Sequence, residues 1–146
     1  MNAMKPKVFI DTNILLDYLL SRQPGANAAT ELLVAAQIGV VDALVSTQSI
    51  LDAAYTARKS GLDFQTFKHV VSILKGALTF AAIDWIDLDW AMEHYTGDFE
   101  DDAQYASAYN SCCDYFITRD KKMLGKNSEN SPLCVITAED FVAQMK

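Results

Sequence analysis

Four aspartates, Asp11, Asp52, Asp101 and Asp120, fall where a carboxylate can do more than solvate a surface. Asp11 lies in VFIDTNILLDYLL, between an apolar strand-like run and an amphipathic helix-like run, and Asp120 follows the apolar run Tyr115 to Thr118 after only Arg119. Asp52 lies in STQSILDAAY and Asp101 in GDFEDD. Singly, each has a structural explanation. Asp11 and Asp120 can cap helices with their carboxylate oxygens, Asp101 can partner the positive end of a helix dipole, and Asp52 can sit solvated on a helix. Gathered at one place, like charges would raise one another's pKa unless a cation joined them. An oxygen-only donor set suits Mg²⁺ or Mn²⁺ rather than zinc.

Whether they gather depends on the elements between them. Lys7 to Ile10 reads as a short buried strand, followed by a helix from Thr12 to Leu20 with Ile14, Leu15, Tyr18 and Leu19 on one face. Ser21 to Gly25 is a turn, and a second helix spans Ala26 to Ile38 with Gly39 as its end signal. Val40 to Ser46 fits a strand. Thr47 is the expected cap of the next helix, which turns Ile50, Leu51, Ala54 and Tyr55 inward and stops near Gly61. A helix over Asp63 to Gly76, a strand over Leu78 to Ile83 and a helix over Asp87 to Tyr95 follow, and Gly97 breaks the last. Phe99 to Asn110 is a helix whose Ala103, Ala106 and Ser107 let it lie close against a sheet. Tyr115 to Thr118 is a strand leading into a polar turn, Cys134 to Ile136 is a last strand, and Thr137 with Glu139 and Asp140 opens a terminal helix in the manner of a capping box.

Strands alternating with helices imply an α/β fold, with a mainly parallel central sheet covered by helices on both faces in three layers. Ligands of such sheets bind outside the carboxyl ends of the strands. Asp11 and Asp120 belong at that edge, Asp52 about one and a half turns into the helix after the second strand, and Asp101 in the first turn of its helix.

With 146 residues, three prolines and no repeat, low-complexity tract or linker, one domain over 1–146 is expected. Hydrophobic residues make up 51% and charged residues 21%, ordinary globular usage that indicates neither disorder nor a membrane class. No secretory leader or spanning segment is read from the chain, and three cysteines without disulfide or zinc spacing suit a reducing cytoplasm. The net charge of −7 argues against the usual basic footprint of a protein that grips nucleic acid through phosphates alone. It does not exclude one that binds a polyanion through cations held in an acidic cleft.

In four places the sequence resembles the PIN-domain ribonucleases, which include the toxins of VapBC-type toxin–antitoxin pairs. VFIDTNILLD is similar to the opening strand with its first acid, Asp11, and the following Thr12 and Asn13. STQSILDAAY stands where the family carries a glutamate, with Asp52 as the acid here. DFEDDAQYASA resembles a DFEDALQ-type segment, giving Asp101 the third acidic position with Asp102 as its substitute, while Asp98 and Glu100 remain unranked beside it. CDYFITRDKKML resembles the strand ending in TR-D or TR-N, giving Thr118 and Asp120.

The resemblance implies a PIN-like fold and a Mg²⁺- or Mn²⁺-dependent endoribonuclease, with Asp11, Asp52, Asp101 and Asp120 as metal ligands. Asp11 is then the expected shared ligand. Thr12, Asn13 and Thr118 would orient carboxylates, water or phosphate. It also implies an RNA substrate, an antitoxin partner and a homodimer. Aspartate at position 52 is one methylene shorter than the family's glutamate, which leaves direct or water-mediated contact open there.

Arg22, Arg119, Lys121 and Lys122 are candidate contacts for substrate phosphates, each with a solvated turn as its ordinary role. His69 and His94 have no metal spacing around them. Trp85 and Trp90, with Ile83, Ile86 and Leu88, are expected to pack a core or an interface. Two other readings compete. A PIN-like module without catalysis would bind RNA or protein, and Asp52 is its only hint. A phosphatase-like enzyme with a nucleophilic Asp11 needs a second aspartate two residues on, where this chain has Asn13.

Overall fold

Alternation along the strands sorts the apolar residues into two clusters, as a parallel sheet buried on both faces requires. Val8, Ile10, Ala43, Val45, Ile117 and Ile136 face one cluster, and Phe9, Leu44, Phe116 and Val135 face the other. The computed structural model describes residues 5–127 and 131–146. In chain order the elements are β1 (Lys7–Ile10), α1 (Thr12–Leu19), α2 (Ala26–Gln37), β2 (Asp42–Ser46), α3 (Thr47–Lys59), α4 (Phe64–Leu74), β3 (Thr79–Ala81), α5 (Trp85–Glu93), α6 (Phe99–Asn110), β4 (Tyr115–Ile117), α7 (Lys121–Leu124), β5 (Cys134–Ile136) and α8 (Ala138–Met145).

The strands form one sheet in the order β3-β2-β1-β4-β5, every neighbouring pair parallel. The first cluster is closed by α1, α2, α3, α4 and α8, and the second by α6 and α7, with α5 packed on α6. This is the expected three-layer α/β/α arrangement. The chain winds outward from β1 through β2 to β3, then crosses back to place β4 on the other side of β1. Strand order therefore reverses between β1 and β4, and the carboxyl ends of these strands open a crevice. In-register Phe9 and Phe116 stack beneath it with ring centroids 5.6 Å apart, which stiffens this pair of strands.

Several elements differ from expectation in instructive ways. The cap of α3 is Ser46, whose hydroxyl accepts the Ser49 N–H, and Thr47 is already helical. The buried face of α3 is Ser49, Ala53 and Ala57, while Leu51 and Tyr55 stand exposed. Small residues bring α3 close to its neighbours, so the bulkier Leu51 and Tyr55 are left on the solvent side. β3 is shortened to three residues at the edge of the sheet. The reciprocal capping box occurs at α5, where Asp84 and Asp87 each accept from the other's backbone, whereas at α8 Thr137 caps alone through the Asp140 N–H. The polar turn after β4 contains the one-turn helix α7.

Trp90 packs as expected, between His94 and Tyr105, but Trp85 and Ile86 are 67% and 69% exposed because they precede the stretch of α5 that meets α6. Cys113 is buried, with its thiol pushed up to about 12 by burial, as befits a small inert hydrophobe. Among the described residues no helix is long and apolar enough to cross a membrane.

Candidate active site

Asp11 ends β1 and caps α1 at once. Its backbone N–H donates to the Ile117 carbonyl, extending the β1–β4 ladder by one bond. One carboxylate oxygen accepts the Thr12 N–H at 2.7 Å, and the other accepts the Thr118 hydroxyl at 2.8 Å. Thr118 in turn accepts the Asp120 N–H at 3.1 Å, so the loop after β4 is tied to the end of β1 through two side chains. Asp11 is only 6% exposed, and burial raises its pKa above the ordinary value against the hydrogen bonds of Thr118 and Thr12, which lower it.

Asp120 also caps α7, accepting the Lys122 N–H at 2.9 Å. The capping explanation is therefore true of both Asp11 and Asp120, and it does not compete with a site. A cap points a carboxylate out of the strand edge, which is where a ligand of the sheet would sit.

Asp11, Thr12, Asn13, Asp52, Asp98, Glu100, Asp101 and Gln104 line one crevice of about 380 Å³ above this edge. Three of the four expected acids thus share the cavity, and Asp120 meets it by approaching Asp101. Burial, then the neighbouring Asp120 carboxyl and the charges of Asp98 and Asp11, push the Asp101 pKa up to about 7. Across the crevice, the Asp52 carboxyl and then burial push Glu100 to about 7 as well. The acids therefore face each other in two pairs, Asp52 with Glu100 and Asp101 with Asp120. Two carboxyls in contact need a shared proton or a cation.

Asp52 has one oxygen held by the Gln48 amide at 2.9 Å, while its buried Oδ2 takes no bond from any permanent donor. Glu100 is a member of this site that the motif reading left unranked. It becomes visible only when α6 is laid against α3. Asp102, by contrast, is no substitute for Asp101. It accepts the Thr96 N–H at 2.8 Å, the Thr96 hydroxyl at 2.6 Å and the Lys126 ammonium at 2.8 Å. Burial works to raise its pKa, but these partners hold it below the ordinary value.

A knot of neutral groups missed by sequence reasoning supports the crevice floor. Ser49 Oγ receives hydrogen bonds from Ser46 Oγ and Gln104 Nε2, each at 3.1 Å, and lies 2.7 Å from Thr12 Oγ1. With both lone pairs taken, the Ser49 hydrogen goes to Thr12, which frees the Thr12 hydroxyl hydrogen for the crevice. Gln104 is 2% exposed and its Oε1 has no partner. The available signal was the Gln104 of the DFEDDAQ segment and the Ser46–Ser49 capping spacing.

The candidate cations divide. Arg22 and Arg119 both turn to Asp17, at 3.0 and 3.3 Å, and Asp17 is 1% exposed. Arg22 also donates to the Asn13 carbonyl at 3.1 Å. Lys121 and Lys122 are exposed on α7, and Lys122 borders an adjoining cavity with Asp98 and Asp101. His94 stacks on Trp90 at 4.1 Å, away from the crevice lining, and His69 is exposed on α4.

Among the described residues no three His, Cys, Asp or Glu side chains stand ready around one point for a metal ion. The donor set nonetheless fits a hard divalent cation. It is made of oxygen, it holds acids opposed to acids, and it includes the unpartnered Asp52 Oδ2 and Gln104 Oε1.

A family model described as PIN domain matches residues 7–122. Among solved structures, the chain is similar to a toxin–antitoxin complex from Klebsiella pneumoniae, at 19% identity and a TM-score of 0.63, covering 86% of this chain and 94% of that one. It is similar to VapC20 of Mycobacterium tuberculosis, described as a sarcin-ricin-loop-cleaving toxin, at 12% identity and 0.63, covering 78% and 90%. It is also similar to VapBC2 of Rickettsia felis bound to a promoter DNA fragment, at 12% and 0.63, covering 88% and 96%. These are likenesses of fold. No curated protein matches the chain.

Proposed function

The chain belongs to the PIN-domain family, and from that premise we propose that it is a metal-dependent endoribonuclease and the toxin of a toxin–antitoxin pair. The observation that carries this reading is the gathering of Asp11, Asp52, Glu100 and Asp101 in one crevice at the strand switch point, with Asp120 against Asp101. The descriptions of the similar folds as toxin–antitoxin complexes and as an RNA-cleaving toxin support it.

Asp11, Asp52, Asp101 and Asp120 would hold the cation, Mg²⁺ or Mn²⁺. When bound, it supplies an activated water and neutralises charge on the scissile phosphate. Thr118 fixes Asp11 by donating to Oδ2, and Asp120 follows because its N–H is held on the same hydroxyl. Asp101 and Glu100, whose pKa values are raised to about 7 by burial and facing carboxyls, would be favoured in their ionised forms by a bound cation. Thr12 offers its free hydroxyl hydrogen and Asn13 its amide to the phosphate or the water. Water forms the new bond to phosphorus and the bond to the 3′ oxygen breaks, leaving 5′-phosphate and 3′-hydroxyl ends. Lys121 and Lys122 are the phosphate contacts of this scheme. Arg119 and Arg22 act there only as far as Asp17 releases them.

An antitoxin protein as the controlling partner, a homodimer as the assembly and a cytoplasmic setting complete the proposal. Cleavage of end-labelled single-stranded RNA with Mg²⁺, Mn²⁺ or EDTA tests it. The wild type should cut only with metal, and Asp11→Asn and Asp101→Asn should abolish cutting. Folded, inhibitor-free wild type that cuts none of a range of RNAs would instead favour a binding module of the same fold.

A further inference from the structure

The acid that α3 brings to the crevice is the short aspartate Asp52, and the structure brings another carboxylate to the same cavity. Asp52 is held against its own helix, because one oxygen is engaged by Gln48 a turn earlier. Its Oδ2 is buried and unpartnered. Glu100 comes from the first turn of α6 and lines the same crevice as this carboxyl. It carries the methylene that α3 lacks. One turn further along α6, Gln104 lines the same crevice with a buried, unpartnered Oε1, although it is almost fully enclosed. A buried carbonyl oxygen with nothing to accept costs free energy that a water or a cation would remove. This orphan is independent of the acidic cluster and points to the same ligand.

We propose that Glu100 is a metal ligand of this crevice, sharing with the shorter Asp52 the corner that a single glutamate on α3 would fill. The proposal rests on the metal-dependent reading above. Under it, α6 supplies adjacent ligands, Glu100 and Asp101, with Gln104 Oε1 accepting from a water on the same cation. The alternative role for Glu100 is that of an acid at a helix N-terminus, where its charge favours the helix dipole and nothing more.

Mn²⁺ binding to the full-length protein without RNA separates these roles, read as loss of the free-ion electron paramagnetic resonance signal during titration at pH 8. Four proteins are compared: wild type, Glu100→Gln, Asp52→Glu with Glu100→Gln, and Asp52→Glu alone, each checked for folding by circular dichroism. Glu100→Gln should weaken Mn²⁺ binding by about 10-fold or more. Adding Asp52→Glu should restore most of that loss, because the missing methylene returns on the other helix. Glu100→Gln that folds and binds Mn²⁺ as the wild type does would overturn the proposal while leaving the nuclease reading intact. A loss that Asp52→Glu does not restore would overturn the shared corner. Wild type that binds no Mn²⁺ would overturn both this proposal and the metal-dependent reading beneath it.

Discussion

Asp17 and Asp102 are buried acids that the fold uses, and Asp11, Asp52, Glu100, Asp101 and Asp120 are acids that the fold leaves exposed to one another. The first group is compensated. Asp17 holds Arg22 and Arg119 through one oxygen, its buried Oδ2 taking no hydrogen bond, and Asp102 holds Lys126 and both donors of Thr96, so each has cations against its charge. The second group has hydroxyls, backbone N–H groups and other carboxyls for neighbours, with Glu100 and Asp101 carried to about 7 as a result. Basic side chains stand nearby, but Asp17 keeps two of them turned away. A chain with twelve lysines and arginines could have neutralised this crevice and does not. Concentrated, uncompensated charge marks a place kept for a ligand rather than for stability.

The largest effect expected from this contrast is on activity. Asp11→Asn should reduce RNA cleavage by more than about 100-fold, beyond what an outer-sphere change costs, with little loss of stability because a like charge is removed. Asp17→Ala should do the reverse. Two charged interactions are lost, roughly 1.5–3 kcal/mol of unfolding free energy in a urea titration, while the carboxylates of the crevice stay in place. Equal stability losses in the two variants would erase the distinction.

Next is pH. Glu100 and Asp101 have folded pKa values raised to about 7, above their unfolded values near 4. Between those limits the native state keeps protons that the unfolded chain has released. Stability is then greatest at the acidic end and falls as pH rises toward and through 7. Asp102, shifted the other way, loses its contribution only in more acidic solution and is flat over this window. The melting temperature of metal-free protein should therefore fall from pH 5 to pH 8, and Mn²⁺ should remove most of the fall. A metal-free protein more stable at pH 8 would count against carboxyl pairing.

Thr118→Val sharpens the comparison at smaller scale. It deletes the donor to Asp11 and the acceptor of the Asp120 N–H, and metal affinity should drop about 10- to 100-fold. Mn²⁺ titration would show it. Smallest is the double charge reversal of Lys121 and Lys122 to Glu. RNA binding should weaken and its dependence on salt should flatten by about one phosphate contact per lysine engaged. An unchanged slope would return both lysines to the solvent.

The parts legible in the sequence are those decided within a few residues. β1, α6 and β5 have the expected bounds because their apolar patterns and end signals are local, and the order of strands and helices fixed the edge on which Asp11 and Asp120 would lie. The face of α3 was misread because Leu51 and Tyr55 are more hydrophobic than Ala53 and Ala57, yet close packing selects the smaller side chains. Glu100, Ser49 and Gln104 were not singled out because their roles depend on α3 meeting α6, a pairing across about fifty residues that no local pattern encodes. Arg119 was offered to substrate for the same reason, since Asp17 and Arg119 become neighbours only when β4 has docked beside β1, whereas the partner of Arg22 lay only five residues away, on α1, and was overlooked.

That docking sets a clock. The sheet's middle strand is the first to leave the ribosome, while the strand that completes the crevice beside it is made more than a hundred residues later. At ordinary elongation rates the interval is roughly 5–20 s. Throughout it Asp11 has neither Thr118 nor Asp120 beside it, and no fragment of the growing chain contains the assembled crevice. On the proposed function, the growing chain is without a complete cleavage site until most of it has been made.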